Sequence, residues 1–284
     1  MKRIVGLFVI IFLLTSCGGS NQIQSKTVID DLGNPVALTA TPKKIISLSP
    51  SLTEVVYYLG LGKNLVGRTN FCNYPPEVVK VETMGDILNL KIERIVELQP
   101  DLILANRGVP MEIIDKLKKT NLIVTAFDPK TVEEIFDVLD KVADLCQVDR
   151  RSIQVREELA KLKADNTNGP LVYIEIWDNP FSTFGKNTFG ADLVRWVGGK
   201  NFGDTLIGDY PNPAAEAVIQ SNPDIIIIPE SYQPNQQDFA KRPGFEGVTA
   251  VVKSKVFAIS DDLIMRPGPR IIESARILKM FLGL

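Results

Sequence analysis

Two stretches of this chain, QPDLILA (residues 99–105) and NPDIIII (222–228), each set an apolar run directly behind a Pro-Asp turn. Four consecutive isoleucines are too few for a buried helix and too apolar for a strand with one wet face. They suit a strand of a parallel sheet covered on both sides. The two copies extend upstream in register: Glu93–Leu98 and Glu216–Ser221 are both helical in pattern, at a constant offset of 123 residues. Two similar α/β lobes are the simplest architecture that builds one unit twice.

The remaining pattern alternates in the same way. Ile45–Leu48 is a short strand, and Ser51 with Glu54 has the spacing of a capping box opening a helix that ends at Gly60. Met111–Lys118 reads as a helix and Ile123–Ala126 as a strand. Thr131–Cys146 is amphipathic, with Ile135, Val138, Leu139 and Val142 on one side and a second capping box at Thr131 and Glu134. Asp149–Asn166 carries nine charged side chains on a sparse apolar stripe and reads as one solvated helix joining two compact units. Alternation then resumes at Leu171 and runs to a last helix, Arg270–Leu282. The expected division is an N-terminal lobe over 27–148, a linking helix over 149–169 and a C-terminal lobe over 170–284. A cleft between such lobes is a natural place for a small ligand.

The front end stands apart. Lys2-Arg3 precedes an apolar run of 11 residues, Ile4–Leu14, and a helix needs about 20 to span a bilayer. This is the form of a signal peptide core. Leu14-Thr15-Ser16-Cys17 resembles the lipobox of bacterial lipoproteins, which implies cleavage after residue 16, lipidation of Cys17 and a tether over 17–26.

The 284 residues include no histidine, and the net charge is −2. No basic face suits nucleic acid. Without histidine there is no Ser-His-Asp or Cys-His arrangement and no His-ligated haem or zinc site. No Walker or dinucleotide motif is present, so the expectation is a non-enzyme with no resident cofactor. Two cysteines remain in the mature chain. Cys146 falls on the apolar side of its helix and is expected as a buried thiol, while spacing leaves its pairing with Cys72 open.

IISLSPSLTEVVYYLGLGKNLVGRTNFCNYPPEV, NLKIERIVELQPDLILANRG and the late RPGPRI together resemble the periplasmic binding proteins that serve vitamin B12 and ferric-siderophore ABC importers, most of all the vitamin B12-binding ones. The resemblance runs from about Lys43 to the C-terminus. It implies two Rossmann-like lobes with mainly parallel sheets, joined by one long rigid helix. It also implies a monomer exported to the periplasm or cell exterior that hands its ligand to a membrane permease with a cytoplasmic ATPase. By motif, Glu112 and Glu216 correspond to the family's permease-docking glutamates.

Cleft-facing candidates are Ser51, Arg68, Phe71, Tyr74, Asn106, Arg107, Trp177, Tyr210 and Arg266. Aromatic planes beside arginines suit a large, flat or anionic ligand. Asn106 stands where the vitamin B12-binding members have a tryptophan, and MGDILNLKI is longer than its counterpart and lacks an aromatic residue. The expected ligand is a corrinoid held between the lobes, and the alternative is a ferric siderophore or other iron complex, whose negative charge Arg68, Arg107 and Arg266 would face; each is a metal complex. An extracytoplasmic enzyme or chelatase on the same lobes is the third reading.

Overall fold

The computed structural model describes residues 26–106, 108–165, 168–232 and 239–284. Cys17, the signal segment and Arg107 lie outside the described residues. No described helix is long and apolar enough to cross a membrane.

A small antiparallel ladder, β1 (Val28–Ile29) with β2 (Pro35–Val36), precedes the first lobe. That lobe is built on a four-stranded sheet: β3 (Ile45–Ser47), β4 (Leu65–Arg68), β5 (Leu102–Asn106) and β6 (Val124–Phe127). The order is β4-β3-β5-β6, and every pairing is parallel. Helices α1 (Pro50–Tyr58), α2 (Ile92–Leu98), α3 (Met111–Lys118) and α4 (Val132–Cys146) cover it. In the second lobe β7 (Leu171–Ile174) is followed by a hairpin, β8 (Trp177–Asp178) with β9 (Phe181–Ser182). Strands β10 (Lys200–Asn201), β11 (Ile225–Pro229) and β12 (Val256–Ile259) complete a second parallel sheet of order β10-β7-β11-β12.

The isoleucine run now has its explanation. Successive side chains of a strand point to opposite faces, and both faces of the central strands β5 and β11 are dry. Ile225 and Ile227 enter the core shared by the two lobes, whereas Ile226 and Ile228 enter the outer core of the second lobe with Tyr173, Val218 and Phe245. β5 does the same: Leu102 and Leu104 face the shared core, Ile103 and Ala105 the outer core of the first lobe.

The Pro-Asp turn is a repeated pin. Gln99 (φ 46°) and Asn222 (φ 49°) end α2 and α7 (Ala215–Ser221) in the left-handed region and turn the chain into its strand. Asp101 then bonds the neighbouring strand start twice, its amide to Lys44 O and its Oδ2 from Lys44 N, both at 2.9 Å. Asp224 repeats this on Leu171, again with both bonds at 2.9 Å. The carboxylate satisfies an amide that the ladder leaves over at the start of β3 or β7.

Some expectations are corrected. Where the charge pattern predicts one helix across Asp149–Asn166, helix α5 spans only Ser152–Ala160. Gln147 (φ 56°) closes α4 first, and the Ala164 amide is drawn to Trp196 O in the second lobe. The Thr131 cap forms, Oγ1 accepting from Glu134 N at 3.2 Å. The capping box at Ser51 does not: α1 starts earlier, from Ser49, with no side-chain cap, and Glu54 is engaged elsewhere. Cys72 and Cys146 are both buried and unpaired with each other, and burial pushes the Cys146 thiol up to about 12.

The lobes are fused along one side. Their common core runs from Ile45 and Leu104 through Phe136 and Leu139 of α4 to Leu193 of α6 (Phe189–Trp196) and Leu278 of the C-terminal helix, Ile271–Leu282. At its edge Glu54, only 3% exposed, accepts from Arg270 Nε at 2.9 Å and Nη2 at 2.6 Å, and from Arg266 Nη1 at 3.2 Å.

Two outcomes follow for stability. Asp224→Ala removes a charge-assisted hydrogen bond and is expected to cost about 2 kcal/mol in urea unfolding. Glu54→Gln leaves Arg266 and Arg270 with Asp262 alone as counter-charge, and a loss of roughly 3 kcal/mol is expected in the same measurement. A cost below that of Asp224→Ala would mean that the junction is held by apolar packing alone.

Candidate functional site

Parallel strands deliver their following loops to one edge of a sheet, and in open α/β folds ligands bind at that carboxyl edge. Here two such edges are formed, and the segments leaving them contain most of the sequence-predicted residues. From the first lobe these are Ser47–Ser51 after β3, Thr69–Pro75 after β4 and Asn106 at the end of β5. From the second they are Glu175–Ser182 after β7, Phe202–Tyr210 after β10 and Asp261–Arg270 after β12.

Arg68 and Arg266 are turned to internal duty. Arg68 belongs to β4, not to the loop after it. Its guanidinium donates to the carbonyls of Val78, Val81, Thr69 and Val79 at 2.9–3.2 Å, tying down the turn Pro76–Lys80. Arg266 reaches across the lobes to Glu54, to Asn73 Oδ1 at 2.7 Å and to Phe71 O at 3.1 Å, with Asp262 at 2.5 Å behind it. It thus holds the loop that carries Phe71 and Tyr74.

The aromatic candidates behave differently. Phe71 is 62% exposed, Trp177 55% and Tyr210 49%, although uncovered rings of this size are costly in water. Trp177 lies in the β8–β9 hairpin, and its indole N–H donates to Asn179 O at 2.9 Å, which fixes the ring against its own turn. Tyr210 packs on Phe184 at 6.1 Å between centroids, in a loop whose Asp209 is ion-paired with Lys130 of the other lobe at 3.0 Å. Tyr74 is covered on one face by the Arg270 guanidinium, 4.0 Å from the ring centroid. With Tyr57 and Tyr58 it lines a cavity of ≈ 390 Å³ beside α1 and the C-terminal helix.

Ser51 is buried, its hydroxyl 2.9 Å from that of Ser49. Asn106 ends β5 with an enclosed Oδ1 that makes no hydrogen bond to the described residues, leaving an acceptor at the sheet edge. The structure therefore brings Ser51, Phe71, Tyr74 and Arg266 together at the junction of the lobes. Trp177 and Tyr210 sit on the edge of the second lobe.

Glu112 and Glu216 are both exposed, and each is the second residue of its helix, α3 and α7. A carboxylate there is favoured by the helix dipole. Sequence reasoning does not reach the partners that organise this region: Glu54 reads as a helix cap, Arg270 is visible only as the end of RPGPRI, and nothing local marks Asn73.

Comparison with known proteins agrees with this geometry. The pattern of the periplasmic binding protein family matches residues 45–263. An uncharacterized ABC transporter substrate-binding lipoprotein of Bacillus subtilis is 30% identical, the alignment covering 98% of this chain and 96% of that one. The vitamin B12-binding protein of Photorhabdus laumondii is also 30% identical, with 85% and 88% covered. In three dimensions the periplasmic vitamin B12-binding protein of Vibrio cholerae superposes with a TM-score of 0.74 at 24% identity, over 86% of this chain and 97% of that one. The chain belongs to the periplasmic binding protein family.

Proposed function

We propose that this protein is the extracytoplasmic binding component of an ABC importer, anchored by lipid at Cys17, and that it captures a corrinoid between its lobes for delivery to the permease. The observation that carries the choice of ligand is the division of labour at the cleft edges. Arg68 and Arg266, the described arginines that would favour an anionic ferric chelate, spend their donors on protein carbonyls and carboxylates. Among the uncovered residues of the same segments are three aromatic rings, Phe71, Trp177 and Tyr210. Such a surface suits a broad, largely apolar face with amide groups at its rim. Relatives named as vitamin B12-binding proteins support the same reading.

The test is a titration with cyanocobalamin followed by tryptophan fluorescence, with a ferric siderophore in parallel. Saturable quenching by the corrinoid alone is expected. A response to the siderophore alone would transfer the assignment to iron complexes.

Two variants sharpen it. Trp177→Ala is expected to weaken cyanocobalamin binding by at least about 1 kcal/mol, roughly fivefold, with an unchanged melting temperature. Lower stability at constant affinity would make Trp177 a structural residue. The pair Glu112→Ala and Glu216→Ala is expected to leave affinity intact and to reduce uptake in cells, because both carboxylates are exposed and an exposed carboxylate suits an arginine fork on a docking partner. Undiminished uptake would remove them from docking.

A further inference from the structure

Behind the Trp177 hairpin lies a charge pair that the ligand reading leaves unused. Glu175 follows β7 and is 0% exposed. Its carboxylate takes both prongs of Arg242, Nη1 to Oε2 at 2.7 Å and Nη2 to Oε1 at 2.9 Å, and the Tyr173 hydroxyl donates to Oε2 at 3.2 Å. Burial raises the Glu175 pKa while Arg242 opposes the rise. The Arg242 guanidinium also lies over two rings, 4.1 Å from the centroid of Phe239 and 5.4 Å from that of Phe181.

These contacts reach both strands of the hairpin. Phe181 in β9 pairs with Asp178, and Ser182 pairs with Trp177. Phe181 is held further by Asn212 Nδ2, which donates to its carbonyl at 2.8 Å, and by the edge of Phe245 at 6.3 Å. Arg242 therefore grips β8 at its root, through Glu175, and β9 from the side, through Phe181.

A buried ion pair is weak evidence for stability, since apolar residues of similar volume often serve as well. What a bidentate fork adds is direction: it fixes angles that an apolar contact leaves loose. We propose that Glu175 and Arg242 are positioning residues for ligand recognition, holding the hairpin so that the Trp177 indole meets the ligand in one orientation. The proposal rests on the reading of Trp177 as a ligand-contacting ring. It assigns a role to two residues without requiring either to touch the ligand.

The experiment replaces the pair by apolar side chains, Glu175→Leu with Arg242→Met, in protein labelled with 5-fluorotryptophan. The chain has two tryptophans, so Trp177→Phe assigns both fluorine lines. The expected result is a melting temperature near that of the parent and a dissociation constant for cyanocobalamin at least tenfold higher. The Trp177 line should shift or broaden while the Trp196 line stays in place. Parent-like affinity, or a parent-like Trp177 line, overturns the proposal. If the double variant fails to fold, Arg242→Lys keeps the counter-charge without the fork, and the same two readouts decide in the same way. If the parent itself does not bind cyanocobalamin, the corrinoid reading falls, and the fluorine line alone decides: moved, it supports positioning; unmoved, it refutes it.

Discussion

Two arginines from the last stretch of the chain converge on one carboxylate near its beginning, and the candidate site depends on that meeting. Glu54 sits on α1 of the first lobe; Arg266 and Arg270 belong to the second. Their bonds do more than join the lobes. Arg266 continues to Asn73 and the Phe71 carbonyl, and Arg270 lies against Tyr74. One ion cluster therefore fixes the angle between lobes and the course of an aromatic loop together. Charges so enclosed are tolerated because the carboxylate and both guanidiniums are partnered, with Asp262 as a second counter-charge beside the arginines.

The same chemistry recurs in the second lobe, where Glu175 and Arg242 underlie the Trp177 hairpin. In both places arginine works as scaffold and an aromatic ring is what the solvent sees. Residue type alone does not reveal this division. An arginine in a loop beside aromatics is equally suited to a ligand anion or to a carboxylate of its own protein, and only the position of the carboxylate decides.

Much of the architecture is legible in the sequence because it is written in local patterns. The helix, Pro-Asp turn and apolar strand recur at fixed spacing, and both copies fold as that spacing predicts, down to the twin bonds of Asp101 and Asp224. The helix Met111–Lys118 matches its expected bounds. What escapes is set by distant contacts. The capping box at Ser51 fails because Glu54 finds arginines 212 and 216 residues away. The linking helix is shorter than its charge pattern suggests because Ala164 bonds to Trp196. Arg68 reads as a cleft residue, because three of the carbonyls that occupy its guanidinium lie 10 to 13 residues further on. The exposure of Phe71 and Trp177 depends on what fails to pack on them, which no local pattern records.

The length of the Glu54 contacts bears on how the molecule comes into being. A ribosome delivers the chain from its N-terminus. The sheet of the first lobe, with its Asp101 pin, is complete once β6 has emerged at Phe127. Its junction face is not: Glu54 waits for Arg266 and Arg270, 212 and 216 residues further along the chain. Until then a carboxylate destined for burial stands in water, and the loop carrying Phe71 lacks its cross-lobe tether. The ion cluster between the lobes thus forms after both sheets are made, and a chain that stops short of residue 266 carries both sheets without the tie between Glu54 and the Phe71 loop.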